Sequence, residues 1–258
     1  METLIFDPTL PFARITLNRP EQRNAMSLLM MDELIKAFEA LEAAPEVRAV
    51  VMRGAGGSFC SGGDLADLRA AAGLPEDEQI ARLARMDTLL DRVNHSSKVV
   101  IAVVEGAALG GGFGLICVSD IAIAVEGAVL GMPEVRIGLA PSLISPYVLQ
   151  RIGLTTARRL MLTGVRFGAQ EALGYGVVSE VCPPDGVEAA LERLLGDLRQ
   201  CSPHALAACK RLIFRSYESP PMVTAHSRAS LLDALIKSED AAEGMSAMLA
   251  KRPPKWAT

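Results

Sequence analysis

The chain has 258 residues, half of them apolar, and a formal charge of −4 at pH 7. That is enough apolar material for one large domain, or for a domain with an appendage. The 26 basic residues are spread along the chain, which argues against a dedicated nucleic-acid surface, and no apolar run reaches the length that crosses a bilayer.

The start, Met1-Glu2-Thr3-Leu4, lacks the basic and apolar regions of a secretory signal. The five cysteines (60, 117, 182, 201 and 209) show no metal-ligand spacing. An odd count without a leader predicts reduced thiols, a cytoplasmic protein and no bound metal. Cys60 has small, uncharged neighbours and reads as a buried side chain rather than a nucleophile.

Residues 12–17 read as a strand that ends in a turn at Asn18-Arg19-Pro20-Glu21. Ser27 opens a helix with Leu28, Met31, Leu34, Ile35, Phe38 and Leu41 at helical spacing, closed by Pro45. Residues 47–52 form an apolar strand, and 66–78 look like a mobile surface segment rich in Ala, Gly and charge. A helix follows through Ile80, Leu83, Met86, Leu90 and Val93, then a strand over 98–104 and a helix through Ile116. Short strands are expected over 120–125 and 128–132, on either side of a Glu126-Gly127 turn. Helices over 145–152, 155–163 and 169–174 lead to a last strand over 177–181. Beyond Pro183-Pro184 nothing is strand-like, and 187–199, 203–215, 222–237 and 239–251 all read as helices. The alternation of strands with helices gives an α/β fold class.

Two glycine-rich segments stand at strand-to-helix junctions, one over residues 54–64 and one over 105–114. Such junctions leave backbone N–H groups unpaired at the positive end of a helix dipole. Two of them aimed at one point would hold an oxyanion, as chemistry on a thioester carbonyl requires. Alone, a Gly-Gly-Gly after a strand is more often a tight turn with close helix packing than a catalytic loop. Neither segment is a phosphate loop or a dinucleotide fingerprint.

The pair, with its order and flanks, resembles the crotonase family of enoyl-CoA hydratases and isomerases. The likeness is carried by Asn18-Arg19-Pro20 with Asn24-Ala25, by Phe59-Cys60-Ser61-Gly62-Gly63-Asp64-Leu65, and by Ala108-Leu109-Gly110-Gly111-Gly112. It continues through Ser119-Asp120-Ile121-Ala122-Ile123-Ala124 and Pro133-Glu134-Val135-Arg136-Ile137-Gly138. The resemblance implies a spiral of ββα units over residues 1–184 that holds an acyl-CoA site, followed by a C-terminal helical region for oligomerisation over 185–258. Homotrimers, often paired into hexamers, are implied, with no nucleic acid and no membrane as partner. No cofactor is implied beyond the coenzyme A of the substrate.

The same resemblance implies that the backbone N–H groups of Ser61 and Gly111 hold the oxyanion and that Glu134 moves the proton. It places substrate contacts at Arg23, Ala25, Gly62, Gly63, Asp64, Leu65, Gly110, Met132 and Ser142. Asp64 would hold the first glycine loop, and the basic tail around Lys251, Arg252, Lys255 and Trp256 would either meet the adenosine phosphate or remain solvated. The hydratases of the family carry a second glutamate two residues after the three-glycine turn, and here that position is Gly114. Relatives with a similar 134–148 segment include methylglutaconyl-CoA and isohexenylglutaconyl-CoA hydratases, whose substrates are branched and carry a second carboxylate. Arg136 could pair with such a carboxylate or point away from Glu134. The implied reaction is hydration of a 2,3-unsaturated, branched, glutaconyl-type acyl-CoA. The alternatives are a Δ3-Δ2-enoyl-CoA isomerase and a non-catalytic acyl-CoA- or RNA-binding relative.

Overall fold

The computed structural model describes residues 1–257. Among these residues, nine strands divide between two sheets. The larger runs in the order β1 (Leu4–Asp7), β2 (Phe12–Leu17), β3 (Ala49–Gly54), β4 (Val99–Val104), β6 (Ile121–Val125) and β9 (Glu180–Cys182), and the smaller in the order β5 (Ala107–Leu109), β7 (Val129–Gly131) and β8 (Arg166–Gly168). From β2 to β9 the larger sheet is parallel, with β1 antiparallel at its edge. Parallel strands need cover on both faces. Accordingly, every residue of β4, Val-Val-Ile-Ala-Val-Val, is buried.

A strand of the large sheet, a sharp bend, a short strand of the small sheet and a helix make one turn of the spiral. β4 passes through Glu105-Gly106 to β5 and then to α4 (Gly111–Val118). β6 passes through Glu126-Gly127 to β7, which pairs in parallel with β5. The two strands flanking Glu126-Gly127 therefore lie in different sheets and do not form a hairpin. Upstream, bridges Cys60↔Ala108 and Met26↔Gly63 continue the small sheet. This is the ββα spiral that the motifs imply.

Ser27 caps α1 (Leu28–Glu42) by accepting from the Met30 N–H at 3.2 Å. The segment over 66–78 is largely helical. Asp64 caps α2 (Leu65–Ala71), and α3 (Glu76–Asn94) follows within five residues. The helices expected over 145–152 and 155–163 run together as α5 (Ser145–Thr163), with a break at Gly153, φ 70°. The strand expected over 177–181 pairs only as β9. Short β8 and α6 (Ala169–Gly174) precede it.

α7 (Val187–Arg199) lays Val187, Ala190, Leu191, Leu195 and Leu198 into the main core. The step to sparse packing comes after it. In α8 (Pro203–Glu218), α9 (Pro221–Ile236) and α10 (Glu239–Leu249), large apolar side chains such as Tyr217, Met222, Val223, Leu232 and Leu249 face outward. Among the described residues, no helix is long and apolar enough to cross a membrane. Lys210 fastens α8 to the sheet. Its buried Nζ donates to Asp120 Oδ2 at 2.7 Å and to the Lys98 carbonyl at 3.1 Å.

Lys210→Ala leaves that carbonyl and carboxylate without their shared cation, so it should cost about 2 kcal/mol of stability. Urea titration followed by circular dichroism measures it. An unchanged midpoint would remove this contact from the forces holding α8.

Candidate active site

The site is assembled from three loops. The first is the turn after β2. Asn24 is fully buried, and its Nδ2 donates to the Ala55 and Ser58 carbonyls at 2.9 and 2.7 Å. Its Oδ1 accepts from the Arg19 N–H at 2.8 Å. Arg19 in turn reaches across with its guanidinium to the Ala25 carbonyl at 2.5 Å and to Asp64 Oδ2 at 2.9 Å. The other oxygen of Asp64 accepts from the amides of Ala66 and Asp67 at 3.0 and 3.4 Å. Burial opposes ionisation of Asp64, but the bond from Arg19 and those two amides outweigh it and hold the carboxyl below its ordinary range.

This clamp orients the second loop. Met26 N–H donates to the Gly62 carbonyl at 2.8 Å, and Asp64 N–H donates to the Met26 carbonyl at 3.0 Å. In a parallel bridge the two neighbours of Gly63 make the bonds, so the N–H of Gly63 itself points away from Met26. Among the described residues it meets no protein acceptor. Ser61 differs from expectation. Its N–H donates to the Arg23 carbonyl at 3.0 Å, and its hydroxyl donates to the Gln22 carbonyl at 3.3 Å. The Ser61 amide is therefore already used within the protein and is not a free donor. The neighbouring Cys60 thiol is fully buried, and burial pushes it up to about 11, so it stays an unreactive core group.

The third loop leads into α4. Its first internal bond runs from Gly114 N–H to the Gly110 carbonyl at 2.9 Å, so the amides before it lack helical partners. Gly110 sits at φ 50°, ψ −120°, a backbone shape that glycine allows and other residues resist. A methyl group on Gly111 would lie 4.0 Å from the Gly63 nitrogen and 2.9 Å from Met86 Cε. The Gly63 and Gly111 backbones thus face one spot beneath the Met86 methyl. A methyl group on Gly112 would fall 2.5 Å from the Cys60 carbonyl oxygen, which explains why the second and third loops can pack so closely.

Glu134 opens a single 3-10 turn, Glu134–Ile137, just after β7. Its carboxyl rests on the third loop. A methyl group on Gly110 would meet Glu134 Oε1 at 2.9 Å. Oε2 is buried with no hydrogen-bond partner among the described residues. Burial raises the Glu134 pKa, opposed only by its own backbone N–H. At Gly114 a methyl group would collide with Ile144 Cγ2 at 2.5 Å. Ile144 fills the space that a second carboxylate would need.

The three loops line an open cavity of about 860 Å³. Arg23, Ala25, Ser61, Gly62, Gly63, Asp64, Leu65, Gly110 and Glu134 all border it. So do Arg136 and Arg166, the latter from β8 and beyond the reach of any motif read in the sequence. An apolar pocket of about 170 Å³ adjoins it and shares Gly63, Asp64 and Leu68, with Met31, Leu83, Met86 and Leu143 on its far walls. Gly111, buried at the start of α4, lines neither, and two expected substrate contacts also fall outside both. Met132 is fully buried in the core, and Ser142 lies on the loop before α5 with its carbonyl taken by the Ser145 hydroxyl at 2.7 Å. The C-terminal tail is tied down elsewhere. Arg48, at the opposite end of β3 from the second loop, donates to the Trp256 carbonyl at 2.5 Å, and Trp256 Nε1 donates to the Gln200 carbonyl at 3.0 Å.

The sequence profile of the enoyl-CoA hydratase/isomerase family matches residues 11–258. The chain belongs to that family. A Thermus thermophilus protein described as an enoyl-CoA hydratase is 34% identical over 245 residues, covering 95% of this chain and 96% of its own. Among solved structures, an enoyl-CoA hydratase/isomerase from Marinobacter aquaeolei is 44% identical, with a TM-score of 0.96 and full coverage of both chains. Pseudomonas aeruginosa AtuE is 42% identical, with a TM-score of 0.97 over 99% of this chain and 100% of its own. The protein is thus an enzyme of this family, and its fold is the crotonase spiral.

Glu134 ionises less readily in the folded enzyme than in the unfolded chain. Stability is therefore lost as pH rises from the unfolded pKa through the higher folded one. Glu134→Gln removes that loss. At about pH 8 the variant should melt at the same temperature as the parent or higher, and its advantage should vanish at about pH 4. Calorimetry at the two pH values measures this. A variant clearly less stable at the higher pH would show that the carboxylate is well solvated.

Proposed function

We propose that the enzyme hydrates a branched 2,3-unsaturated acyl-CoA of glutaconyl type with a single carboxylate. The observation that carries this reading is the Glu134 carboxyl, whose Oε2 is buried and partnerless, resting on the same loop as the Gly111 amide. The thioester oxygen accepts from the N–H groups of Gly63 and Gly111. Gly63 replaces Ser61 because its amide is unspent. Glu134, as carboxylate, takes a proton from water while the water oxygen bonds to the β-carbon. The electron pair of the double bond moves to the thioester oxygen, where the two amides hold it as an enolate. The same carboxyl then returns its proton to the α-carbon, restoring the carbonyl. Atoms and charge balance with no second acid, in keeping with Ile144 occupying the Gly114 site. Coenzyme A enters with the substrate, and no other cofactor is invoked.

The apolar side pocket beside Gly63 suits the hydrocarbon branch, and the arginine-bearing cavity suits the polar parts. Trimers of this chain in the cytoplasm are the assembly we propose, because α8–α10 leave more apolar surface outward than a monomer keeps exposed. Light scattering at micromolar concentration should give a mass in multiples of three. A single monomer peak would overturn the assembly.

With a 3-methylglutaconyl-type CoA thioester in oxygen-18 water, the label should appear on the β-carbon. Glu134→Gln should lower kcat by several orders of magnitude, and Gly63→Pro or Gly111→Pro should abolish turnover by deleting a donor N–H. Because Glu134 must be ionised to take the proton, kcat/KM should fall on the acid side with a midpoint above the ordinary glutamate range. If a 3-enoyl-CoA shifts its double bond rapidly and no enoyl-CoA ever gains labelled oxygen, the isomerase reading replaces this one.

A further inference from the structure

The cavity that the proton-transfer carboxyl borders is also lined by two cations that the proposed reaction does not use. Arg166 lies on β8, paired in register with Gly131. The Gly131 carbonyl accepts the Gly110 N–H at 3.0 Å, and Gly110 is the residue against which Glu134 rests. Two residues, Gly131 and Gly110, therefore link the Arg166 backbone to the carboxyl. Strand alternation sends its neighbour Phe167 into the core, edge-on to Phe113 at 5.8 Å, and so turns Arg166 to the cavity side. Arg136 lies two residues beyond Glu134, on the 3-10 turn and not on a strand. Its Nε donates to the Thr163 carbonyl at 3.3 Å, which anchors the side chain and leaves both terminal nitrogens available. Among the described residues Arg166 forms no ion pair, and neither does Arg136. Both border the cavity with Glu134.

Unneutralised guanidinium groups sharing one cavity repel each other, and an anion between them relieves that cost. A planar carboxylate matches the guanidinium fork. The phosphates of a coenzyme A thioester sit at the far end of the pantetheine arm from the carbonyl. An anion seated between these arginines, in the part of the chain's cavity that Glu134 also borders, is accordingly assigned to the acyl group.

We infer that Arg166, assisted by Arg136, binds a carboxylate carried by the acyl group and selects acidic over neutral enoyl-CoA substrates. This deepens the proposed hydratase reading and rests on it for the position of the acyl group. Arg23, which borders the cavity with its chain neighbours Gln22 and Ala25, is left for the coenzyme A portion.

The experiment compares a 3-methylglutaconyl-CoA thioester with its methyl ester, which keeps the shape and loses the charge. Full-length enzyme, Arg166→Gln and Arg166→Lys are assayed for kcat/KM on both. Arg166→Gln should lose on the order of 10- to 100-fold on the acid and little on the ester, with partial rescue by lysine. Equal loss on both substrates would assign Arg166 to a coenzyme A phosphate and overturn the inference, as would no loss on either. Binding of the saturated 3-methylglutaryl-CoA and its methyl ester, by calorimetry, gives a readout free of turnover. If the parent hydrates nothing, the hydratase reading fails. The carboxylate site still stands if the acid binds the parent more tightly than its ester does and Arg166→Gln abolishes the difference.

Discussion

The parallel bridge between Met26 and Gly63 is the contact on which the site depends. It uses the carbonyl of Gly62 and the amide of Asp64, and by doing so leaves the amide between them unpaired and directed outward. An unpaired backbone N–H is costly when buried but useful at a surface that a substrate will cover. Two charged side chains keep the bridge in place. Arg19 spans from the first loop to Asp64, and Asp64 spends its other oxygen on the start of α2. The ion pair has partly buried side chains, so it is less screened than a surface pair, and its geometry is fixed by four further hydrogen bonds.

The same frame sets the protonation of Glu134. Glycine at 110, 111 and 112 lets Glu134, Met86 and Cys60 approach the start of α4 more closely than a β-carbon there would allow. Close approach excludes water from Glu134 Oε2, and exclusion of water raises its proton affinity. Backbone donors, a buried carboxyl and the hydrophobic wall formed by Ile144 thus follow from one packing arrangement. The cations follow a different logic. Arg136 and Arg166 border the open part of the cavity, where charge can remain hydrated until a ligand arrives.

Local pattern was sufficient for the elements with a strong period or cap. Ser27 marks the start of α1 because its hydroxyl meets an amide three residues on, a contact decided within one turn. β4 was legible as six consecutive apolar residues. Short strands such as β5, β7 and β8 were harder to place, because three residues carry no period and their pairing partners lie far along the chain. The helix over 65–71 was hidden by its polar, Ala-rich face and betrayed only by the cap at Asp64.

By itself the sequence determined the α/β class, the family, the order of the two glycine loops and the absence of a carboxylate at position 114, because each is a matter of residue identity and near-neighbour spacing. Tertiary structure alone decided which amide is free. Ser61 and Gly63 are both backbone donors in the same loop, and only the long-range acceptor at Arg23 separates them. It also decided that Met132 belongs to the core, that Ile144 closes the space beside Gly114, and that Arg166 comes to border the same cavity as Glu134 from 32 residues away through the β7–β8 pairing. The reason is common to all of these: hydrogen-bond satisfaction and burial are set by contacts between segments distant in the chain, which local spacing does not encode.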